Sequence, residues 1–457
     1  MLVNGRWLIP TLNDQIYISK PPLFYWIAAF FGLIFQSTAE WIIRLPSALS
    51  ALGVVWITFD RVKKYIGEWQ ALFAVILMLT AVKFSAHARR AEIEMLLTFW
   101  ITLCLLYFFD YLKSPDKRRL LYLSYLFLGL AFLTKGPVAL LFFLPPLLVF
   151  WLKVRDRNIL SGLLSAKGWM VFAFVAFPWY IYCYFSLDDS LLASVIHTDI
   201  VGKTVGLERK DGFYWYFLDL IGNFAPWILV LFYRTGSIGK GLFSRYETAV
   251  FGWWALMPLL VFSCIAEKHS KYLLPIYPAV AVFLGTWLAR ICSDLTSQNN
   301  RRLQKGILSV AVALLVGWAV FYDLIESSMY KYRFSAIMPM AEKIKDVRGD
   351  APVYFYQEDY PVIIYYLGSP TPVVGDAELK AMLDSGAPFL LIADSSKWGN
   401  LDGSRFCVLG EYTPFLHRNR SARIFGSESF CRQHEGSSSS VGSYKGSGDF
   451  MASSKEK

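Results

Sequence analysis

A chain of 457 residues that is 55% hydrophobic and only 18% charged, with mean hydropathy +0.41, carries more long uncharged runs than a single soluble core of that length needs. Its formal net charge of +10 does not point to nucleic acid, because membrane proteins concentrate Lys and Arg in cytoplasmic loops, and no nucleic-acid partner is expected. Residues 1–20 are polar and mixed, without the uninterrupted apolar stretch of a cleavable signal peptide.

The first informative segment is YISKPPLFYW, Tyr17 to Trp26. Pro21 and Pro22 hold Lys20 in an extended stretch, Pro22 can open a helix, and Phe24, Tyr25 and Trp26 suit the headgroup region of a bilayer. The apolar run that follows, 22–37, has about 16 residues against the roughly 20 a crossing requires, which predicts a helix lying along the interface. Residues 1–42 are read as an outer-face loop containing that helix.

Ten spanning helices are predicted at 43–59, 70–86, 95–112, 119–133, 137–152, 169–187, 213–233, 250–265, 272–291 and 305–325, making 43–325 a membrane domain. One alternate set of connecting loops holds 18 Lys and Arg and the other holds 8, so the richer set is expected in the cytoplasm. The loops near 87–94, 134–137, 188–212 and 266–271, with residues 1–40 and the C-terminal region, then face outward. That alternation works only if 22–37 does not cross.

Beyond residue 330 the pattern changes to short strand-like runs, APVYFYQ, PVIIYYLG, PFLLIAD and RFCVLGEY, with DAELKAMLDSG as an amphipathic helix ended by Gly386. This predicts a small α/β domain over 330–433 on the outer face. A Gly/Ser-rich tail, 434–457, is expected to be disordered. Cys104, Cys183, Cys264 and Cys292 lie in or at the ends of apolar runs, whereas Cys407 and Cys431 could pair if their domain is extracytoplasmic. There is no zinc-ligand spacing, and neither a metal nor a cofactor is predicted.

The outward basic residues carry the chemistry. SAHARRAEIEMLLTFW places Arg89 and Arg90 beside Glu92 and Glu94, with Glu94 at a helix start where a carboxylate suits the positive dipole end. An exposed arginine–glutamate cluster is the plain reading; a site carboxylate beside phosphate-binding arginines is the functional one. FLTKGPVALL puts Lys135 in a Gly-Pro turn that needs no lysine, although a snorkelling lysine would also fit. CIAEKHSKYLLPIYP supplies Lys268, His269, Lys271 and Tyr272, which suit an anionic headgroup but also serve as ordinary interfacial anchors. His197 and Lys203, with Arg209 and Lys210, are equally ambiguous.

These segments together resemble the GT-C membrane glycosyltransferases of the dolichyl-phosphate-mannose protein mannosyltransferase type, and within them the bacterial aminoarabinose (lipid A) transferase-like branch. The pieces that carry the resemblance are GRWLIPTLNDQIYISKPPLFYW, RLPSALSALGVVWITF, ARRAEIEMLLTF, GLAFLTKGPVALL, GFYWYFLDLIGNFAPW and KHSKYLLPIYPAVAV, in the family's order over most of residues 1–290. The resemblance implies an inner-membrane enzyme acting at the outer face, with a sugar on a polyprenyl phosphate as donor and a lipid or a protein as acceptor. It implies that Lys20 contacts the lipid phosphate, that Glu94 is the active-site carboxylate, and that Arg89, Lys135, Lys203, Lys268 and Tyr272 complete the donor pocket. Arg90, Glu92, His197, His269 and Lys271 are secondary candidates.

Two departures from the family pattern stand out. Glu94 occupies a position where Asp is usual, and the family's first helix with its outer-loop Asp-Glu motif has no counterpart before MLVNGRWLIP, which leads us to expect an upstream start. A lipid-linked sugar transporter or flippase would also have many helices and a basic cavity, but should show internal repeats and charges at the bilayer midplane. A non-catalytic polyprenyl-phosphate-binding member is the third reading.

Overall fold

The computed structural model describes residues 5–188, 211–232, 245–297, 301–321, 335–401, 403–413, 415, 420–434 and 442–445. The chain forms two compact units, one of Met1–Pro10 with Tyr17–Val316 and one of Thr11–Ile16 with Gly317–Lys457.

The first unit is helical. It runs α1 (Leu23–Ile34), α2 (Glu40–Tyr65), α3 (Glu68–Thr80), α4 (Val82–Ala88), α5 (Ile93–Lys113), α6 (Arg118–Lys135), α7 (Val138–Val154), α8 (Arg157–Leu163), α9 (Ala166–Ala176), α10 (Pro178–Ser186), α11 (Trp215–Asn223), α12 (Tyr246–Ser263), α13 (Tyr277–Ser297) and α14 (Arg301–Val320). Among the described residues four helical stretches are long and apolar enough to cross a membrane, or five if a bent pair counts as one. They are Glu40–Tyr65, Ile93–Lys113, Arg157–Ala176 and Ser270–Asp294, with α3 and α4 as the pair. This is a polytopic helical membrane protein.

Burial sorts these helices. α5 is apolar on every side, and such a helix belongs inside a bundle rather than against lipid; Met95, Leu97, Ile101, Cys104, Phe108 and Tyr111 are almost wholly enclosed. α2 instead exposes Leu49, Leu52 and Trp56 on one side while burying Ile42, Ser47, Val54 and Val62 on the other. α3 and α13 approach so closely that a Cβ on Gly285 would lie 2.7 Å from the backbone nitrogen of Ala74. Small residues at such crossings are how membrane helices gain van der Waals contact.

Several predicted spans change shape. The single helix predicted over 70–86 is two, bent by 71° where Ala81 adopts an extended backbone. There Thr80 Oγ1 accepts from Trp227 Nε1 at 2.8 Å and donates back to Ile76 O, which stabilises the break. The span predicted over 169–187 is interrupted at Pro178, which lacks the N–H to continue the ladder, and the 20-residue apolar stretch lies earlier, at Arg157–Ala176. Over 213–233 the helix stops at Asn223 and resumes as a 3-10 turn, Trp227–Phe232. α1 has 12 residues, roughly 18 Å of helix, well short of a bilayer core.

The second unit is built on a six-stranded mixed sheet. Its strands are β3 (Val353–Tyr356), β4 (Val373–Val374), β5 (Leu390–Asp394), β6 (Phe406–Thr413), β7 (Ala422–Ser427) and β8 (Gly442–Lys445), in the order β4-β3-β5-β7-β6-β8. β4, β3 and β5 are parallel, β7 is antiparallel to β5 and to β6, and β8 is parallel to β6. The predicted α/β domain is therefore present, with α15 (Ile337–Arg348), α16 (Pro361–Leu367), α17 (Asp376–Ser385) and α18 (Glu428–His434) around the sheet. Two features were not anticipated. Four residues of the Gly/Ser-rich tail form β8 rather than disordered chain, because the edge of β6 offers them backbone partners. A hairpin of β1 (Thr11–Leu12) and β2 (Gln15–Ile16) joins this unit rather than the segment preceding α1; it turns at Asn13 and Asp14, both left-handed, and Asn13 pairs twice with the Thr371 backbone at 2.6 Å. Cys407 and Cys431 are disulfide-bonded, tying β6 to α18.

Candidate active site

The segment before α1 is fixed at two points. Trp26 Nε1 donates to Trp7 O and Trp179 Nε1 to Leu8 O, each at 2.7 Å. Pro21 and Pro22 are buried, and Pro22 caps α1. Lys20 is thereby held at the start of α1, with Nζ donating to Ser19 O at 3.0 Å and to Ser19 Oγ at 3.2 Å. One turn into α1, Tyr25 packs edge-on against Tyr17, ring centroids 6.5 Å apart. Burial above all, then Tyr17 and the charge of Glu94, push the Tyr25 phenol up, so it stays protonated as a hydrogen-bond donor.

Glu94 lies in the first turn of α5 and is 4% exposed. Facing it is Lys135, the last residue of α6, whose position is set by Gly136 at φ +69°, a conformation that lets the chain reverse into Pro137. Lys135 Nζ donates to Glu94 Oε1 at 3.2 Å and lies 4.4 Å from the ring centroid of Tyr272. Lys271, on a 3-10 turn Ser270–Ile276 that leads into α13, brings Nζ to 3.6 Å from the same Glu94 Oε1 and 3.7 Å from Glu92 Oε2. Lys20 and Lys271 both act electrostatically on Lys135. Residues from the N-terminal segment with α1, from α6 and from the 3-10 turn thus gather around one buried carboxylate.

Glu92 forms the second layer. It caps α5 in an extended conformation, with its carbonyl accepting from Ser47 Oγ of α2 at 3.1 Å. Its Oε2 lies 3.1 Å from Nδ1 of buried His87, a close polar contact off the line of a well-formed hydrogen bond. Burial alone would raise this carboxyl; His87, then Lys271 and Arg90, outweigh it and hold Glu92 at about 2. Arg89 and Arg90 lie exposed on the turn between α4 and α5.

The neighbouring loop is braced by groups that sequence placed in the pocket. Lys268 is 2% exposed, and its Nζ donates to Ile265 O at 2.6 Å and Asp211 O at 3.0 Å. Its ammonium satisfies backbone carbonyls, a fastening role, in contrast to the phosphate contact expected of it. His269 pairs with Glu267 at 2.8 Å and stands edge-on to Tyr272, centroids 5.0 Å apart. His197 and Lys203, with Arg209 and Lys210, lie outside the described residues. Among the described residues no three His, Cys, Asp or Glu side chains converge closely enough to hold a metal ion.

Residues 19–182 match the family model described as dolichyl-phosphate-mannose-protein mannosyltransferase. The fold matches the crystal structure of ArnT from Cupriavidus metallidurans bound to undecaprenyl phosphate, with a TM-score of 0.75 over 93% of this chain and 91% of that one, at 18% identity. The fold is therefore of the GT-C type, and the family match covers residues 19–182. Curated relatives include an undecaprenyl phosphate-alpha-4-amino-4-deoxy-L-arabinose arabinosyl transferase of Shewanella sediminis, 28% identical over 62% of this chain and 52% of that protein. A second with that description, from Pseudomonas fluorescens, is 27% identical over 74% of this chain and 62% of its own length. An uncharacterized protein of Aquifex aeolicus is 27% identical over 74% and 64% respectively. The chain thus spans about half to two thirds of the length of these relatives.

Within this GT-C bundle the structure brings together Lys20, Glu92, Glu94, Lys135, Lys271 and Tyr272 of the predicted residues. It adds Tyr25 and His87. Tyr25 reads in sequence as one more interfacial aromatic, and nothing marks His87 beyond its place five residues before Glu92. Only the turn between α4 and α5 makes the two meet.

Proposed function

We propose that this protein transfers a sugar from a polyprenyl-phosphate donor to a lipid of the lipid A type, or to a protein hydroxyl, at the outer face of the inner membrane, with the α/β domain on the same side. The observation that carries this reading is the cluster of Glu94 with Lys135 and Lys271, at 3.2 and 3.6 Å, on a GT-C fold. In the reaction, the acceptor oxygen bonds to the anomeric carbon while the bond from that carbon to the phosphate oxygen breaks, its electron pair leaving with the phosphate. The acceptor proton passes to a carboxylate, a role we assign to Glu94. Charge accumulates on the departing phosphate, so the ammonium groups of Lys20 and Lys271, brought to it, stabilise that state more than the donor. A single displacement of this kind inverts the anomeric centre.

Lys135 orients Glu94, and Tyr25 and Tyr272 line the same space. We leave Lys268 out of the phosphate pocket because its ammonium is engaged with the main chain. The test is transfer of labelled sugar from a polyprenyl-phosphate donor by the purified full chain, compared with Lys20→Ala and Glu94→Gln. Loss of transfer is expected for Glu94→Gln and transfer weakened through a raised donor KM for Lys20→Ala; full activity in both defeats the assignment.

A further inference from the structure

Lys271 occupies an unusual position. Its ammonium sits almost midway between two carboxylates, 3.7 Å from Glu92 and 3.6 Å from Glu94, while its side chain remains 40% exposed. Lys135, by contrast, is buried against Glu94. Lys271 therefore has room to move, and Lys135 does not.

Glu92 is fixed from behind. Ser47 holds its backbone carbonyl, and His87, buried at the end of α4, faces the same oxygen that Lys271 approaches. Glu92, whose side chain is 27% exposed, can thus release Lys271 while solvent and the His87 Nδ1 contact remain beside its carboxylate. It keeps His87 when Lys271 leaves.

A device of this sort answers a problem built into the proposed chemistry. The donor carries a phosphodiester with one negative charge, whereas the product, polyprenyl phosphate, is a monoester with roughly −1.5 to −2 at neutral pH. A set of fixed lysines would bind the product more tightly than the donor, and product release would then limit turnover.

We propose that Glu92, backed by His87, is a positioning residue that competes with the product phosphate for the ammonium of Lys271. When donor binds, Lys271 turns from the carboxylates to the phosphate; after transfer Glu92 reclaims it and the polyprenyl phosphate leaves. This deepens the proposed function and rests on it.

The test measures binding of undecaprenyl phosphate to the detergent-solubilised full chain, together with its inhibition of transfer. Glu92→Gln removes the competing charge, so the product should bind roughly five- to tenfold more tightly and inhibit at correspondingly lower concentration. Damage to the fold would loosen binding, the opposite direction. Glu92→Asp, which keeps the charge, should stay within about twofold of wild type. His87→Asn leaves Glu92 with Lys271 as its main partner, so product should bind about threefold more weakly. In a Lys271→Ala background the tightening caused by Glu92→Gln should vanish.

Unchanged or weaker binding in a folded Glu92→Gln protein overturns the inference. So does equal tightening in the Lys271→Ala background, because Glu92 would then act on the phosphate directly. If Glu92→Gln does not fold, His87→Asn decides, and unchanged or tighter binding refutes competition. Wild-type protein that neither binds undecaprenyl phosphate nor transfers sugar defeats the functional reading itself, and this inference falls with it.

Discussion

Lys135 Nζ and Glu94 Oε1 lie 3.2 Å apart with both side chains over nine-tenths buried, joining the last residue of α6 to the first turn of α5. A buried pair of this kind adds little net stability over an apolar pair of equal size, but losing one partner strands the other charge. Glu94→Met, which leaves buried Lys135 without its carboxylate, should therefore destabilise the protein by roughly 3–5 kcal/mol, and Lys135→Met/Glu94→Met should recover most of that loss. Neither protein should transfer sugar. Thermal unfolding in detergent beside a transfer assay checks both halves; activity in the double variant would remove Glu94 from the chemistry.

Lys20 offers a different signature. It is held at the start of α1 by the Trp26–Trp7 and Trp179–Leu8 hydrogen bonds, and its own ammonium contacts Ser19. Truncation to Ala removes a charge-assisted contact worth about 1.5–3 kcal/mol to a phosphate, which raises the donor KM roughly ten- to hundredfold. The melting temperature should change little. An unchanged KM would mean that the phosphate lies elsewhere.

Glu92 predicts a pH effect whose sign can be worked out. Its pKa falls from 4.5 in the unfolded chain to about 2 in the folded protein, so the ionised pair contributes stability above pH 4.5. That contribution is lost as pH falls from 4.5 through 2. The gap in melting temperature between wild type and Glu92→Gln should be flat above about pH 5 and narrow below it. A gap that changes between pH 6 and 8 instead would point to a titrating partner, not to Glu92.

How far these features were legible in the sequence depends on distance along the chain. Apolar runs announce helices through composition alone, so every predicted span falls at least partly on a helix, and the turn at Gly136 was readable from Lys-Gly-Pro. Breaks were harder. The bend at Ala81 comes from Trp227 reaching Thr80 across 147 positions, and no local pattern encodes that hydrogen bond. Lys268 and Lys271 look alike in sequence, three residues apart in one polar loop. Only the path of the 3-10 turn sends one ammonium to backbone carbonyls and the other to Glu94.

A control for all site variants sits at the far end of α5. Asp110, 16 residues from Glu94 and so about 24 Å along the helix, accepts from Arg61 Nε at 2.8 Å and Tyr65 OH at 2.7 Å. These bonds clamp α2 to α5. Asp110→Ala should cost roughly 3–5 kcal/mol of stability by leaving Arg61 partly buried without its main partner. In protein that still folds, the donor KM should match wild type. A shift in KM with this variant would show that the two ends of α5 are coupled.

The disulfide gives a test that needs no activity. Six cysteines occur in the sequence; Cys407 and Cys431 are bonded to each other, while Cys104, Cys183, Cys264 and Cys292 are in the thiol form. Denatured protein purified without reductant should take up four equivalents of a thiol reagent, rising to six after reduction. The bond closes a loop of 24 residues, for which chain entropy predicts about 3 kcal/mol of stabilisation of the second unit. Because structural disulfides persist in oxidising compartments, the same count on protein trapped with reagent in intact cells also tests the proposed outer-face location. Six reactive thiols in that experiment would place β6 and α18 on the cytoplasmic side and overturn the topology on which the acceptor assignment depends.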